Sequence, residues 1–175
     1  VGSSSAARVH FAISGTHGLE AAAGSAVQTA WLSDYAKQTK KLPDDTAVVF
    51  VHVINPYGFA HSTRTTEHNV DLNRNFIDHE HDRIQNKDYA ALHDALILDQ
   101  WDEPHLEALE HQFQFFKEKY GEDAYFNARV KGQYDFPDGV AFGGQEREWS
   151  NLVLERIVHE HLEKAKQVAF IDWHT

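Results

Sequence analysis

The sequence predicts an α/β fold: a mixed, largely parallel central sheet flanked by helices, with an acidic helical insertion. Three observations predict it. Short runs rich in β-branched and aromatic residues stand at Arg8–Ser14, Thr46–Ile54 and Gln167–Thr175. Their apolar character is nearly continuous, as in strands covered on both faces. Segments of helical composition lie between them, the alternation that parallel strands need for their crossovers.

Taken in order, RVHFAIS (Arg8–Ser14) reads as a buried strand. It enters the small-residue turn SGTHG, and then EAAAGSAVQTAWLSDYAKQ (Glu20–Gln38), a helix with apolar positions at helical spacing. TAVVFVHVI (Thr46–Ile54) is the second strand, ended by Asn55-Pro56 and Gly58. Ser150–Gln167 reads as an amphipathic helix with Ser150 as its N-cap, leading into the third strand, QVAFIDWHT. Ligands of such sheets bind beyond the carboxyl ends of the strands, which draws attention to Ser14–Glu20 and to His174.

One domain over residues 1–175 is expected from the length. Within it, residues 78–123 form an acidic helical insertion carrying 13 acidic against 4 basic side chains, most of the net charge of −11. Its helical stretches, YAALHDALILDQ and PHLEALEHQFQFFKEKY, break near Asp102–Pro104. The plain reading is a solvated acidic face; the sharper one is a surface for cationic partners or additional metal. Such a balance argues against nucleic-acid binding, which rests on basic contacts to phosphate. No apolar run is long enough to span a membrane, and no signal segment opens the chain, the sole basis for expecting a cytoplasmic setting. With no cysteine, disulfides, thiolate metal sites and a cysteine nucleophile are excluded. The sequence also lacks methionine, which suggests a portion of a longer chain.

Three patterns can carry chemistry. His17-Gly18-Leu19-Glu20 places an imidazole and a carboxylate three residues apart on a turn leaving a strand, and zinc accepts both. Alone the pattern is weak, since 13 His and 13 Glu in 175 residues yield about one H-x-x-E by chance. The plain alternative is a glutamate placed near a helix N-terminus for its charge. Asn55–Phe76 (NPYGFAHSTRTTEHNVDLNRNF) is long, polar and unlike a linker. Within it, Arg64 and the Asn73-Arg74-Asn75 group are shaped either to hold a carboxylate or to pin a surface loop. Finally, Ile171-Asp172-Trp173-His174 ends a strand in a histidine, with Asp172 on the same face as an outer partner.

Together these residues resemble the zinc carboxypeptidase family, and more closely an uncharacterised bacterial branch of it. The matching segments are SGTHGLE (14–20), INPYGFA (54–60), NVDLNRNF (69–76), GQYDFPDG and FGG (132–144), WSN (149–151) and IDWHT (171–175), in family order over nearly the whole chain. The resemblance implies that His17, Glu20 and His174 hold one zinc ion; the surplus histidines and acids offer material for a second ion but no recognisable second motif. It implies that Asn73 and Arg74 hold the substrate's terminal carboxylate. It makes Arg64 the catalytic residue that polarises the scissile carbonyl, with the metal as Lewis acid and activator of water. The family's general base is a glutamate well after the third ligand, and no residue here takes that role; Glu67, Glu146 and Glu148 have no support from the family pattern. This again suggests a portion of a longer enzyme.

The expected activity is therefore zinc-dependent cleavage of an amide bond beside a free carboxylate, in a peptide substrate. The nearest rival is a deacylase of N-acyl amino acids on the same fold, of the aspartoacylase type. A rival of another class is a non-catalytic carboxylate-binding module. Other histidines are expected to be structural: His10 and His52 in strands, and the His79-Glu80-His81 and His159-Glu160-His161 pairs too divergent on a helix to share an ion. Trp149 and Trp173 are expected to pack, and Ser150 lacks the partners of a serine nucleophile. Oligomeric state is not legible.

Overall fold

The computed structural model describes residues 1–39 and 41–174. They form an α/β protein in two units, Val1–Glu67 with Glu148–Thr175, and His68–Arg147. The acidic stretch 78–123 lies within the second unit.

In the first unit, β1 (Arg8–Ser14), β2 (Thr46–Val51) and β3 (Gln167–Trp173) form a sheet ordered β2-β1-β3. Both pairings are parallel: Arg8 faces Thr46 and Gln167, and Ser14 faces Trp173. The mixed character expected of the sheet reduces to one isolated antiparallel bridge, Gly2 to Ala47. β1 is central, so Phe11, Ala12, Ile13 and Ser14 are all buried, as a run without polar alternation requires. Val168 and Phe170 of β3 stay largely exposed. Thr175, the expected last residue of this strand, lies outside the described residues.

The second strand is shorter than its apolar run. After Val51 the chain leaves the ladder and rejoins it two residues late, Ile54 N–H donating to Ser14 O (2.9 Å) and Asn55 N–H to Gly15 O (3.1 Å). The Ser14 hydroxyl donates to the His52 carbonyl in the gap. His52 is thus an exposed residue beyond the strand, with Nε2 2.6 Å from Ser25 Oγ.

Helix α1 (Ala21–Ala36) buries a stripe of Ala21, Gly24 and Gln28. The stripe is small because the helix lies close to the sheet: a Cβ at Gly24 would stand 2.7 Å from Trp173 Cβ. Helix α2 (Pro56–His61) starts as Asn-Pro predicts, with Pro56 in its first turn and Asn55 Oδ1 accepting from Gly58 N–H at 2.9 Å. The helix before β3, here α6, is Trp149–Leu162. Its N-cap is Glu148 and not Ser150: Glu148 has extended backbone and the helical conformation begins at Trp149, leaving Ser150 buried in the first turn. Trp149, expected to pack, is 60% exposed. No helix among the described residues is long and apolar enough to cross a membrane.

The second unit holds α3 (Lys87–Leu96), α4 (Glu103–Tyr120) and α5 (Glu122–Val130), whose apolar faces meet in a cluster of Leu92, Phe116, Tyr125 and Ala128. The break expected near Asp102–Pro104 is the start of α4: Asp102 Oδ1 accepts from His105 N–H at 3.0 Å. The His105 ring and then its N–H hold the Asp102 carboxyl below its usual range. Asn86 caps α3 by accepting from Tyr89 N–H (3.0 Å). Its amide donates to Ala128 O (3.0 Å) and Gly132 O (2.9 Å), joining the start of α3 to the end of α5. Asn86→Ala removes a cap worth about 1 kcal/mol and leaves two buried carbonyls unpaired, for roughly 2–4 kcal/mol in all. Urea unfolding followed by far-UV circular dichroism checks it. Asn86→Asp is expected to restore the cap alone, and so only part of the loss.

Candidate metal-binding site

The turn after β1 builds the site from the first unit. Gly15 (φ +71) lets the chain leave the strand sharply, which a side chain at that position resists. His17 then stands as N-cap of the short 3-10 helix Gly18–Glu20, with Glu20 N–H donating to His17 O at 3.1 Å. That turn sets the two side chains side by side, His17 Nδ1 3.2 Å from Glu20 Oε1, with His17 only 1% exposed. Two donors at about 2.0–2.2 Å from one tetrahedral ion stand roughly 3.3 Å apart, so this spacing suits a shared zinc.

His174 reaches the same place from the end of β3. Its ring meets that of His17 edge to face, centroids 5.1 Å apart. His174 Nδ1 lies 2.7 Å from Asp172 Oδ2. The Thr16 hydroxyl in turn lies 2.9 and 3.1 Å from the two Asp172 oxygens. Arg64 completes the group, with Nη1 3.5 Å from Glu20 Oε1.

Three contacts bring the Arg64 loop to this turn. Leu19 N–H donates to Thr63 O (3.1 Å), Asn55 Nδ2 donates to Arg64 O (3.4 Å), and Gly18 lies against the backbone of Gly58. The first unit thus brings together His17, Glu20, Arg64 and His174. Among the described residues no group of three or more His, Cys, Asp or Glu side chains is arranged so that it could hold a metal ion. The His17–Glu20 pair with the His174 imidazole alongside has the nitrogen and oxygen donors that zinc takes.

Asn73 and Arg74 belong to the second unit, on the 3-10 helix Leu72–Arg74. Asp71 caps it, accepting from Asn73 N–H at 3.0 Å. Arg74 donates from Nη1 to Asn73 O (2.9 Å) and from Nη2 to Val130 O (2.6 Å), which leaves a second hydrogen on each nitrogen. Tyr134 donates to Arg74 O at 2.8 Å, and burial pushes its phenol up, so it remains a donor. A Cβ at Gly132 would stand 2.7 Å from Arg74 Cδ, which explains a glycine there. Asn75 donates to Gly143 O (2.9 Å) and Glu146 O (2.8 Å), and Asn69 to Pro137 O (2.9 Å) and Gly139 O (3.0 Å). The segments GQYDFPDG and FGG thus serve as the bed in which the Asn73–Arg74 turn lies.

His79 and His81 sit in a turn rather than a helix, on separate partners: His79 Nε2 is 3.1 Å from Asn75 O, and His81 Nδ1 is 3.0 Å from Asp78 Oδ2. Thr16 and Asn55 carry site contacts that sequence reasoning did not assign. Asn55-Pro56 has the pattern of an N-cap before a helix-starting proline, a signal open to reading; nothing marks Thr16.

The fold and site define a parallel α/β protein with a His–Glu–Arg–His cluster beyond the carboxyl ends of its strands. Over residues 1–175 the chain matches the family described as "Protein of unknown function (DUF2817)", and it belongs to that family. No curated protein and no solved structure matches it.

Proposed function

We propose that the chain carries the metal centre of a zinc-dependent hydrolase of carboxypeptidase type, cleaving an amide bond beside a free carboxylate. The observation that carries the reading is the meeting of His17, Glu20, Arg64 and His174 at the carboxyl edge of the sheet, from segments more than 100 residues apart. This is where parallel α/β proteins bind their ligands.

In this reading His17, Glu20 and His174 hold one zinc ion. Zinc bound there polarises the scissile carbonyl and makes water nucleophilic near neutral pH. Arg64, permanently charged and beside Glu20, supplies fixed positive charge for the oxygen that becomes negative in the transition state. Asn73 and Arg74 take the substrate's carboxylate, an assignment that rests on their motif. The hydrogens remaining on the Arg74 terminal nitrogens suit two oxygens of one carboxylate. No residue of this chain is assigned the general base.

Metal analysis of the purified chain and of His17→Ala tests the reading. One zinc per chain, absent from the variant, is the expected result. Two metals per chain would point to a co-catalytic pair instead. A folded chain without metal would sink the hydrolase reading. In the intact protein, peptides compared with N-acyl amino acids as substrates separate the peptidase from the deacylase.

A further inference from the structure

We propose that Asn86 is a positioning residue that holds Arg74 ready for a carboxylate, by clamping the turn on which the guanidinium is anchored. The consequence for binding rests on the reading of Arg74 as the carboxylate's partner; the anchoring itself does not. Arg74 Nη2 donates at 2.6 Å to the carbonyl of Val130, the last residue of α5. The last carbonyls of a helix have no intrahelical donor and form its negative dipole end, so a guanidinium is well received there. Two residues on, Gly132 (φ +90) backs the stem of the arginine: a Cβ there would stand 2.7 Å from Arg74 Cδ and 3.2 Å from Nε.

Asn86 fixes both ends of that turn. It is 7% exposed, and its NH2 group donates to Ala128 O (3.0 Å) and to Gly132 O (2.9 Å). These two residues flank Val130 in the chain, so the clamp closes around the carbonyl that receives Arg74. The amide is itself held, since Asn86 Oδ1 accepts from Tyr89 N–H at 3.0 Å as the cap of α3. Both N–H donors and the oxygen of the side chain are thus in use. A long arginine side chain that meets an anion from a mobile state loses rotamer freedom on binding; an anchored one has lost it beforehand. The acidic stretch 78–123 thereby has a role beyond its charge. Helix α3 supplies the clamp, and α5, which begins as the stretch ends, supplies the anchor.

The test uses the whole chain, with N-acetylglycine, a small carboxylate, as the probe. The Nη hydrogens of an arginine exchange places by rotation about the Cζ–Nη bonds, and anchoring slows that rotation. In the parent, the ¹H–¹⁵N NMR signals of the Arg74 guanidinium, identified by their loss in Arg74→Lys, are expected to be separate at low temperature. Asn86→Ala is expected to average them. It is also expected to weaken N-acetylglycine binding, read from the shift of the same signals, by about 3–10-fold, the cost of immobilising one long side chain. Asn86→Asp keeps the cap but neither donor, and is expected to do the same in a more stable protein. Phe116→Leu loosens the cluster of α3, α4 and α5 without touching these bonds, and is expected to leave the Arg74 signals separate. Averaged signals in the parent overturn the proposal. So do separate signals or unchanged affinity in either Asn86 variant, or averaging in Phe116→Leu as well. A parent whose signals N-acetylglycine does not move defeats the carboxylate reading of Arg74, while the signals themselves still decide the anchoring.

Discussion

Gly18→Ala is expected to lose both the site and much of the stability of the first unit. A Cβ at Gly18 would overlap the Cα and carbonyl carbon of Gly58 and the nitrogen of Phe59. All three are backbone atoms, so no side-chain rotation relieves the clash and α2 itself must move. Forcing an extra methyl into packed structure typically costs 1–3 kcal/mol, and with only backbone to yield the expected cost is about 3 kcal/mol or more. Moving α2 also pulls on Leu19, whose N–H is held by Thr63 O, and hence on the short helix between His17 and Glu20. Zinc content is therefore expected to fall with thermal stability. Gly121→Ala is the control: a Cβ there meets nothing within 4 Å, and only its φ of +92 opposes it. A Gly18→Ala protein with the parent's melting temperature and zinc content would mean that this contact does not set the turn.

If the proposed hydrolase reading holds, Arg64→Ala is expected to cut kcat by about 10²–10³-fold, the scale on which a lost oxyanion donor acts. Zinc content is expected to hold, since Arg64 is no ligand. KM is expected to change little, because the charge matters where the carbonyl oxygen turns negative, not in the ground state. Arg64→Lys is expected to restore part of the rate, keeping the charge but losing the planar fork. A large rise in KM with kcat intact would move Arg64 from stabilising the reaction to holding the substrate's carboxylate. Unchanged kinetics would remove it from the site.

The strands were legible because runs of β-branched and aromatic residues favour extended chain, although only β1 is largely buried and β3 is mostly exposed. The three apolar runs became the three parallel strands, and the alternation of strand and helix implied how they connect. Exact ends were less legible. Thr46–Ile54 is apolar throughout, yet the chain leaves the ladder at His52, since hydrophobicity reports burial and not hydrogen-bond partners. Ser150 has the chemistry of a cap but lies two residues past the N-cap, since the cap position is set by the extended backbone at Glu148. Helix α5 was not foreseen: Gly121, at φ +92, ends one helix and allows another to start within two residues.

Within the candidate site, His17 and Glu20 were readable because a three-residue spacing becomes proximity through a local turn. His174 was readable from its place at a strand end. The nearness of Arg64 to Glu20 was not, because it depends on a close glycine contact and on Asn55 bonds spanning many residues. Thr16 was silent for the same reason: its partner is 156 residues away. The resemblance supplied roles for Asn73 and Arg74 but not the polar bed beneath them, in which Asn69, Asn75 and Tyr134 act on backbone carbonyls.

That β1 is the middle strand of the sheet sets an order in time as well as in space. On the ribosome β1 and β2 emerge early and His17, Glu20 and Arg64 are made with them, while His174 follows only after the whole of the second unit. Docking β3 closes a very long loop. The entropy of closure grows only with the logarithm of loop length, about 0.6 kcal/mol per doubling, and prior folding of the intervening segment shortens the loop effectively. Pairing of β3 with β1 thus brings His174 to a turn that was made long before it.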